Sequence, residues 1–291
     1  MTTGVLLMTY GAPESDADLP DYLARVRGGR APDDALVVEM RRRYQVIGGS
    51  PLVRITEAQA GALQHALGPD FTVRAGMRYS APSIADRAAE LASSERLVGI
   101  VLSPQWSPKL MQGYADALQA ATDRPASMVG AWHREPAFVA SIAARLRAAR
   151  ERLGPVPVLL TAHSLPKRVF DGEPEYIAQL RETGDLVAAA ASLGAADWQW
   201  AYQSAGHTQE EWLRPDLKEL FPDLARAGHH DVLIAPVQFL ADHLEVLYDL
   251  DVAAAAEAQA AGLRYHRIEM PNCDPAFIAA LAAVVRRELD A

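Results

Sequence analysis

The stretch Val5-Leu-Leu-Met-Thr-Tyr-Gly-Ala-Pro13 is written a second time, without gaps, as Val158-Leu-Leu-Thr-Ala-His-Ser-Leu-Pro166. Each copy opens as a short apolar run and breaks at turn residues closed by Pro, which reads as a strand and then a loop. A second pair ends each half, Glu135-Pro-Ala-Phe-Val-Ala140 and Asp274-Pro-Ala-Phe-Ile-Ala279. In the latter an acidic residue precedes a Pro at the first helical position, a sound helix start. Two matches in the same order predict two similar α/β domains, residues 1–154 and 155–291, with the boundary near Gly154-Pro155. The last helix, about 274–291, has the option of packing back on the first domain.

Outward from these stretches, apolar runs alternate with amphipathic segments. Strands are predicted at Val5–Met8, Thr72–Met77, Leu97–Leu102, Ser127–Gly130, Val158–Thr161, Gln199–Tyr202, Val232–Pro236 and Arg264–Ile268. Helical patterns lie between them at Asp33–Ile47, Thr56–Leu67, Ile84–Ala92, Pro136–Leu153, Glu175–Leu193, Pro215–Ala227, Leu244–Ala260 and Pro275–Leu289. Short strands separated by helices mean β-α units and a mostly parallel sheet. Ligands of such sheets bind beyond the carboxyl ends of the strands. Tyr10 and His163 occupy matching positions there, so two facing domains would set them on opposite walls of one cleft.

Composition narrows the chemistry. The 291 residues are 50% apolar and 22% charged, enough for a sizeable core. The formal charge of −9 argues against nucleic acid as a partner. Yet Arg25 to Arg54 holds seven arginines against three acids, a local surplus that suits a small anionic ligand. A solvated helix face is the plain alternative. One cysteine, Cys273, excludes an intrachain disulfide and a four-thiolate iron–sulfur cluster, and points to reducing cytoplasm. Met1 to Tyr10 does not read as a signal peptide, and no run is apolar and long enough to span a bilayer.

Two segments carry chemistry. His163 stands at a strand end in Thr161-Ala-His-Ser-Leu-Pro166, placed to act as base or ligand. In Asp242-His-Leu-Glu-Val-Leu-Tyr-Asp-Leu-Asp251, the residues Asp242, Glu245 and Asp249 are spaced to share one face of a helix whose flanks are apolar. Close carboxylates suit proton uptake or a divalent cation, although a solvated face has the same spacing. No His-Glu-x-x-His, phosphate loop, nucleophile elbow or dinucleotide fingerprint is present, so no nucleotide cofactor is expected. His229-His230 reads as surface loop, and His65, His133, His207 and His266 as structural or exposed.

Together these segments resemble the two signatures of ferrochelatases. The resemblance extends to Met8-Thr-Tyr-Gly-Ala-Pro13, Ile47-Gly-Gly-Ser-Pro-Leu52, Tyr202-Gln-Ser204, Trp212-Leu-Arg-Pro-Asp216 and Glu269-Met-Pro-Asn272, in family order over nearly the whole chain. It implies two Rossmann-like, doubly wound domains with a porphyrin cleft between them, and a lyase that inserts Fe²⁺, its substrate, during haem biosynthesis. It makes His163 the essential cleft histidine and Glu245 its acidic partner. Asp249 continues the relay, and Tyr10 stands near the porphyrin centre on the opposite wall. His163, Glu245 and Tyr10 are then the candidates for contact with the metal. Arg27, Arg30, Arg43, Ser50 and Tyr114 are the candidates for holding propionates. Transient contact with neighbouring haem-pathway enzymes is a further expectation.

Three positions depart from the family pattern: Gln238 stands where a glycine is expected, which would narrow the cleft wall, Ala253 ends the acidic stripe, and Tyr79 replaces a histidine found in some relatives. The Met8-Thr-Tyr-Gly run and the arginine surplus resemble soluble bacterial enzymes that use coproporphyrin III, a substrate with four propionates. The apolar lip and the cysteine-bearing extension of membrane-associated relatives are not seen before Ala291. Rival readings are a protoporphyrin IX ferrochelatase, a cobalt or sirohydrochlorin chelatase, which tends to present paired histidines where Tyr10 stands here, and a non-catalytic tetrapyrrole carrier.

Overall fold

A computed structural model describes residues 2–206 and 210–290, except the side chains of Val169 and Phe170; His207 lies outside the described residues. The first half holds strands β1 (Thr3–Thr9), β2 (Phe71–Met77), β3 (Arg96–Val101) and β4 (Ser127–Met128). Its helices are α1 (Leu19–Val26), α2 (Asp34–Val46), α3 (Leu52–Leu67), α4 (Ile84–Glu90), α5 (Pro108–Ala120) and α6 (Pro136–Leu153). The second half runs β5 (Val158–His163), α7 (Lys167–Phe170), α8 (Pro174–Ala190), β6 (Trp198–Gln203), α9 (Leu217–Arg226) and β7 (Asp231–Pro236). It continues with a π-helix (Glu245–Ala254), α10 (Ala255–Ala260), β8 (Arg264–Arg267) and α11 (Pro275–Asp290).

Both sheets are parallel and have one plan. The first is ordered β2-β1-β3-β4 and the second β6-β5-β7-β8. The repeated stretch therefore forms the inner strand of each sheet, and this explains its composition. Val5, Leu6, Leu7 and Met8 are fully buried, as are Val158, Leu159 and Leu160. Helices cover both faces, so neither strand alternates apolar with polar. The two doubly wound domains expected from the repeat are thus present.

The second repeated pair builds the seam. Phe138 of α6 and Phe277 of α11 are both fully buried and belong to one core that reaches residues of both sheets. α11 packs on α3 and α6, and at its far end Arg286 donates to the Ala66 carbonyl while Ser127 donates to Glu288. The carboxyl-terminal helix thus lies against the first half.

Four elements differ from the sequence reading. α1, α5 and the four-residue α7 are not among the helices that periodicity predicts. α1 is only eight residues long, and its N-cap Asp18 makes no side-chain cap bond. α5 runs unbroken through Gly113, where a Cβ would meet the Arg78 guanidinium. The segment Leu244–Ala260, expected as one α-helix, is a π-helix over Glu245–Ala254 that becomes α-helical only at Ala255. Among the described residues no helix is long and apolar enough to cross a membrane.

Candidate active site

In each sheet the chain leaves the first strand to one side and returns on the other, which opens a crevice at the strand ends. Tyr10 follows β1 directly, and His163 is the last residue of β5. Gly11, at φ +91°, makes the turn that presents Tyr10; a Cβ there would also run into the Ser80 hydroxyl. The Tyr10 side of the cleft is aromatic. Its ring meets Tyr79 edge-on at 4.6 Å, and the Arg78 guanidinium lies over both Tyr79 (4.9 Å) and Tyr114 (5.0 Å). Desolvation by the surrounding walls, then Tyr79 and the Glu245 charge, push the Tyr10 phenol well above its ordinary pKa. It stays a neutral hydrogen-bonding group at physiological pH.

The opposite wall is ionic. His163 Nδ1 contacts the Ser164 carbonyl. A carbonyl only accepts, so Nδ1 carries the hydrogen and Nε2 of the neutral ring has a free lone pair. That Nε2 is 3.9 Å from Glu245 Oε1, and His243 Nε2 is 3.5 Å from Glu245 Oε2. His243 Nδ1 is likewise tied, to the Ala241 carbonyl at 2.9 Å. Phe239 packs against both imidazoles, with centroids at 6.5 Å from His163 and 4.6 Å from His243. Desolvation alone would raise the Glu245 pKa, but the charge that His163 carries when protonated, with the hydrogen bond and charge of His243, outweighs it and lowers it to about 2. For His243 desolvation lowers the pKa, and the Glu245 hydrogen bond and charge more than reverse this. Glu245 is thus a carboxylate with two imidazole edges aimed at it.

Behind Glu245, Asp249 is one widened turn along the π-helix. Burial first, then the Glu245 charge, raise its pKa, against the opposing pull of His163, Arg43 and Ser204. A carboxyl that takes up a proton more readily than Glu245 is therefore its neighbour. Among the described residues, no three His, Cys, Asp or Glu side chains are gathered closely enough to hold a metal ion by themselves.

The propionate candidates divide. Arg43 reaches across from α2, with Nη1 at 3.4 Å from Asp249 Oδ1, while its Nε donates to Glu39 at 2.8 Å. Beside it Arg42 donates to the Tyr248 hydroxyl, and both guanidiniums lie over the Tyr248 ring. Arg43 is thus part of the acidic wall before any ligand arrives. Ser50 accepts from the Leu52 amide at the start of α3, at 3.4 Å. Tyr114 is largely buried, at 6% exposure, under Arg78. Arg27 and Arg30 are exposed on the α1–α2 turn, where Arg30 donates to the Arg27 carbonyl. Two recesses flank α2, one of about 680 Å³ beside Pro20, Val37, Val38 and Arg41, the other of about 330 Å³ beside Pro13, Tyr44, Gly48 and Gly49. Neither includes His163 or Glu245.

One expectation needs correction. Asp242 is not on the carboxylate stripe: it precedes the helix and is bound by Asn272, whose amide donates to Oδ2 at 2.7 Å, with Arg267 at 3.7 Å. The Gln238 side chain accepts from the His163 amide and donates to the Tyr176 hydroxyl. His243 was passed over because two residues before Glu245 is the wrong face of a helix. The loop that precedes the π-helix puts it there, and its place inside the quoted signature was the available signal. Arg78 had no sequence signal beyond adjacency to Tyr79. Among the described residues the other histidines behave as read: His65, His229 and His230 are exposed, His133 pairs with Glu182 at 2.9 Å, and His266 with Asp231 at 2.8 Å.

Known proteins with these features form a consistent set. A family model for ferrochelatases matches residues 2–289. The chain is 37% identical over 302 residues to a ferrochelatase of Deinococcus radiodurans, covering 98% of this chain and 95% of that one. It is 36% identical over 307 residues to the coproporphyrin III ferrochelatase of Geobacillus thermodenitrificans, covering 99% and 96%. Among solved structures it is similar in fold to CbiX, the terminal enzyme of sirohaem biosynthesis in denitrifying bacteria, with a TM-score of 0.62, 15% identity and 99% of each chain covered. SirB from Bacillus subtilis gives a TM-score of 0.59 at 10% identity, over 99% of this chain and 96% of that one.

Proposed function

This chain belongs to the ferrochelatase family, and from that premise we propose that it inserts Fe²⁺ into coproporphyrin III, giving coprohaem and two protons. The observation that carries the chemistry is the His163–Glu245 pair. Metallation exchanges two pyrrole N–H protons for one Fe²⁺, so the site must accept protons beside an arriving cation. His163, with its hydrogen fixed on Nδ1, offers the Nε2 lone pair to a pyrrole proton or to iron. Once protonated, it has the Glu245 carboxylate 3.9 Å away to pair with. Asp249, whose pKa lies above its ordinary value, is the next proton acceptor along the π-helix. The neutral Tyr10 phenol faces the ring from the other wall, and the pyrrole nitrogens supply the in-plane ligands that the protein does not.

The choice of porphyrin rests on two supports. Relatives named coproporphyrin III ferrochelatases match almost the full chain at 34–36% identity. Arg27 and Arg30 are exposed cations on the α1–α2 turn, suited to bidentate contact with propionates. Arg43 would exchange part of its pairing with Asp249 for a propionate. The likeness to CbiX and SirB is one of fold alone.

The test is anaerobic metal insertion followed by absorbance, with coproporphyrin III, protoporphyrin IX and sirohydrochlorin offered in parallel to Fe²⁺ and Co²⁺. The reading expects fastest turnover with coproporphyrin III and Fe²⁺. Preference for protoporphyrin IX would keep the chemistry and overturn the substrate. Turnover of sirohydrochlorin with Co²⁺ alone, or porphyrin binding with no insertion, would overturn the reaction.

A further inference from the structure

His163 is the last residue of β5, and a side chain completes the bonding that holds it there. In a parallel sheet, successive strand residues direct their N–H and C=O alternately to one neighbouring strand and the other. The Thr161 carbonyl accepts from the Val237 amide at 3.0 Å, on the β7 side, and the Ser164 amide donates to the Gln203 carbonyl at 2.7 Å, on the β6 side. The His163 N–H therefore points toward β7. That strand has already ended at Pro236, and the chain turns away toward the π-helix. Gln238 Oε1 takes the His163 N–H at 2.8 Å. The other end of the same amide, Nε2, donates at 2.7 Å to the hydroxyl of Tyr176, which is 1% exposed on α8. The donor and acceptor needs of the two partners fix which way the amide faces.

We propose that Gln238 is a positioning residue for metal insertion: it substitutes for the missing ladder bond and holds the His163 backbone so that Nε2 stands at Glu245. The inference rests on the functional reading above. The anchor serves both imidazoles, because Phe239, the next residue, packs against His163 and His243. A glycine at 238, the residue the family resemblance leads one to expect, has no side chain to do this. It leaves the last donor of β5 on that side without this partner, a loss felt at the one residue whose placement the chemistry depends on.

The experiment combines amide hydrogen exchange at His163, measured without substrate, with steady-state insertion of Fe²⁺ into coproporphyrin III by the full chain. In Gln238→Ala, exchange at the His163 amide should speed up by about tenfold or more while the sheet interior is unchanged. The kcat should fall by about tenfold to a hundredfold, the cost of a small misplacement, with KM within about twofold. Gln238→Glu should recover most of the kcat, because its carboxylate accepts from both the His163 amide and the Tyr176 hydroxyl. Tyr176→Phe should show a smaller loss of the same kind and add nothing to Gln238→Ala, as expected of residues acting in one chain of contacts. An active wild type with unchanged exchange and kcat in Gln238→Ala would overturn the inference alone, as would a loss that falls on KM or that Glu does not recover. A wild type that inserts no metal would overturn the functional reading itself.

Discussion

Thr9-Tyr10-Gly11 and Ala162-His163-Ser164 leave their sheets at the same point of the same strand order, yet the two walls they begin are chemically opposite. Around Tyr10 the wall is aromatic, with Tyr79, Tyr114 and the Arg78 cation stacked together and a phenol held neutral. Around His163 it is a cluster of titratable groups, with two imidazole edges on Glu245 and Asp249 behind. On the proposed function, a duplicated scaffold separates two tasks that a single wall would perform in conflict. Proton acceptors need charge and partial hydration, whereas a flat macrocycle is held by apolar and aromatic surface. The contact between the walls is also uneven: α2 sends Arg42 and Arg43 onto Tyr248 and Asp249 of the π-helix, so cations of the first half offset the charge of the second.

The largest expected effect breaks the comparison at its centre. His163→Ala should lower turnover by about 10³-fold, within the range of lost acid–base catalysis. Glu245→Gln, which keeps the shape and removes the charge, should cost about 10²-fold in kcat through the lost pairing with the protonated imidazole. Both are read from anaerobic insertion kinetics. Arg43→Gln is expected to act on binding, with KM for coproporphyrin III raised by about tenfold and a smaller change in kcat. Tyr10→Phe should change kcat by less than about fivefold, the scale of one neutral hydrogen bond. If Tyr10→Phe were as damaging as His163→Ala, the first half would share the chemistry and the division of labour would fail.

The smallest effect is in stability against pH. The Glu245 pKa is about 2 in the folded chain against an ordinary 4.5, so its pairing stabilises the fold above the ordinary value and is lost as pH falls through the folded one. His243 is shifted upward, so its contribution is present below its ordinary pKa of 6.5 and fades as pH rises through the folded value. Between about pH 5 and pH 3, the Tm of the wild type should therefore drop more than that of Glu245→Gln. Equal slopes would contradict the paired state of this carboxylate.

The fold was legible in the sequence because its inner strands are buried on both faces, so they appear as unbroken apolar runs and appear twice. The His163, Glu245 and Asp249 neighbourhood was legible through two contiguous signatures. What the sequence hid depends on partners distant along the chain. Asp242 fits a helical stripe by spacing, and only Asn272, thirty positions on, shows that it belongs to a loop. Gln238 acts on an amide 75 residues earlier. The π-helix is defined by i→i+5 backbone hydrogen bonds, which the residue types of Glu245–Ala254 do not announce. α1, at eight residues, is too short for periodicity to stand out.

The division of labour is tested most directly by binding of coproporphyrin III to His163→Ala, followed by quenching of porphyrin fluorescence without metal. The account predicts a Kd within about threefold of wild type alongside the loss of turnover, since removing an interaction made only during the chemistry leaves ground-state binding in place. Binding lost in parallel with turnover would contradict it, and would make His163 part of the surface that holds the ring.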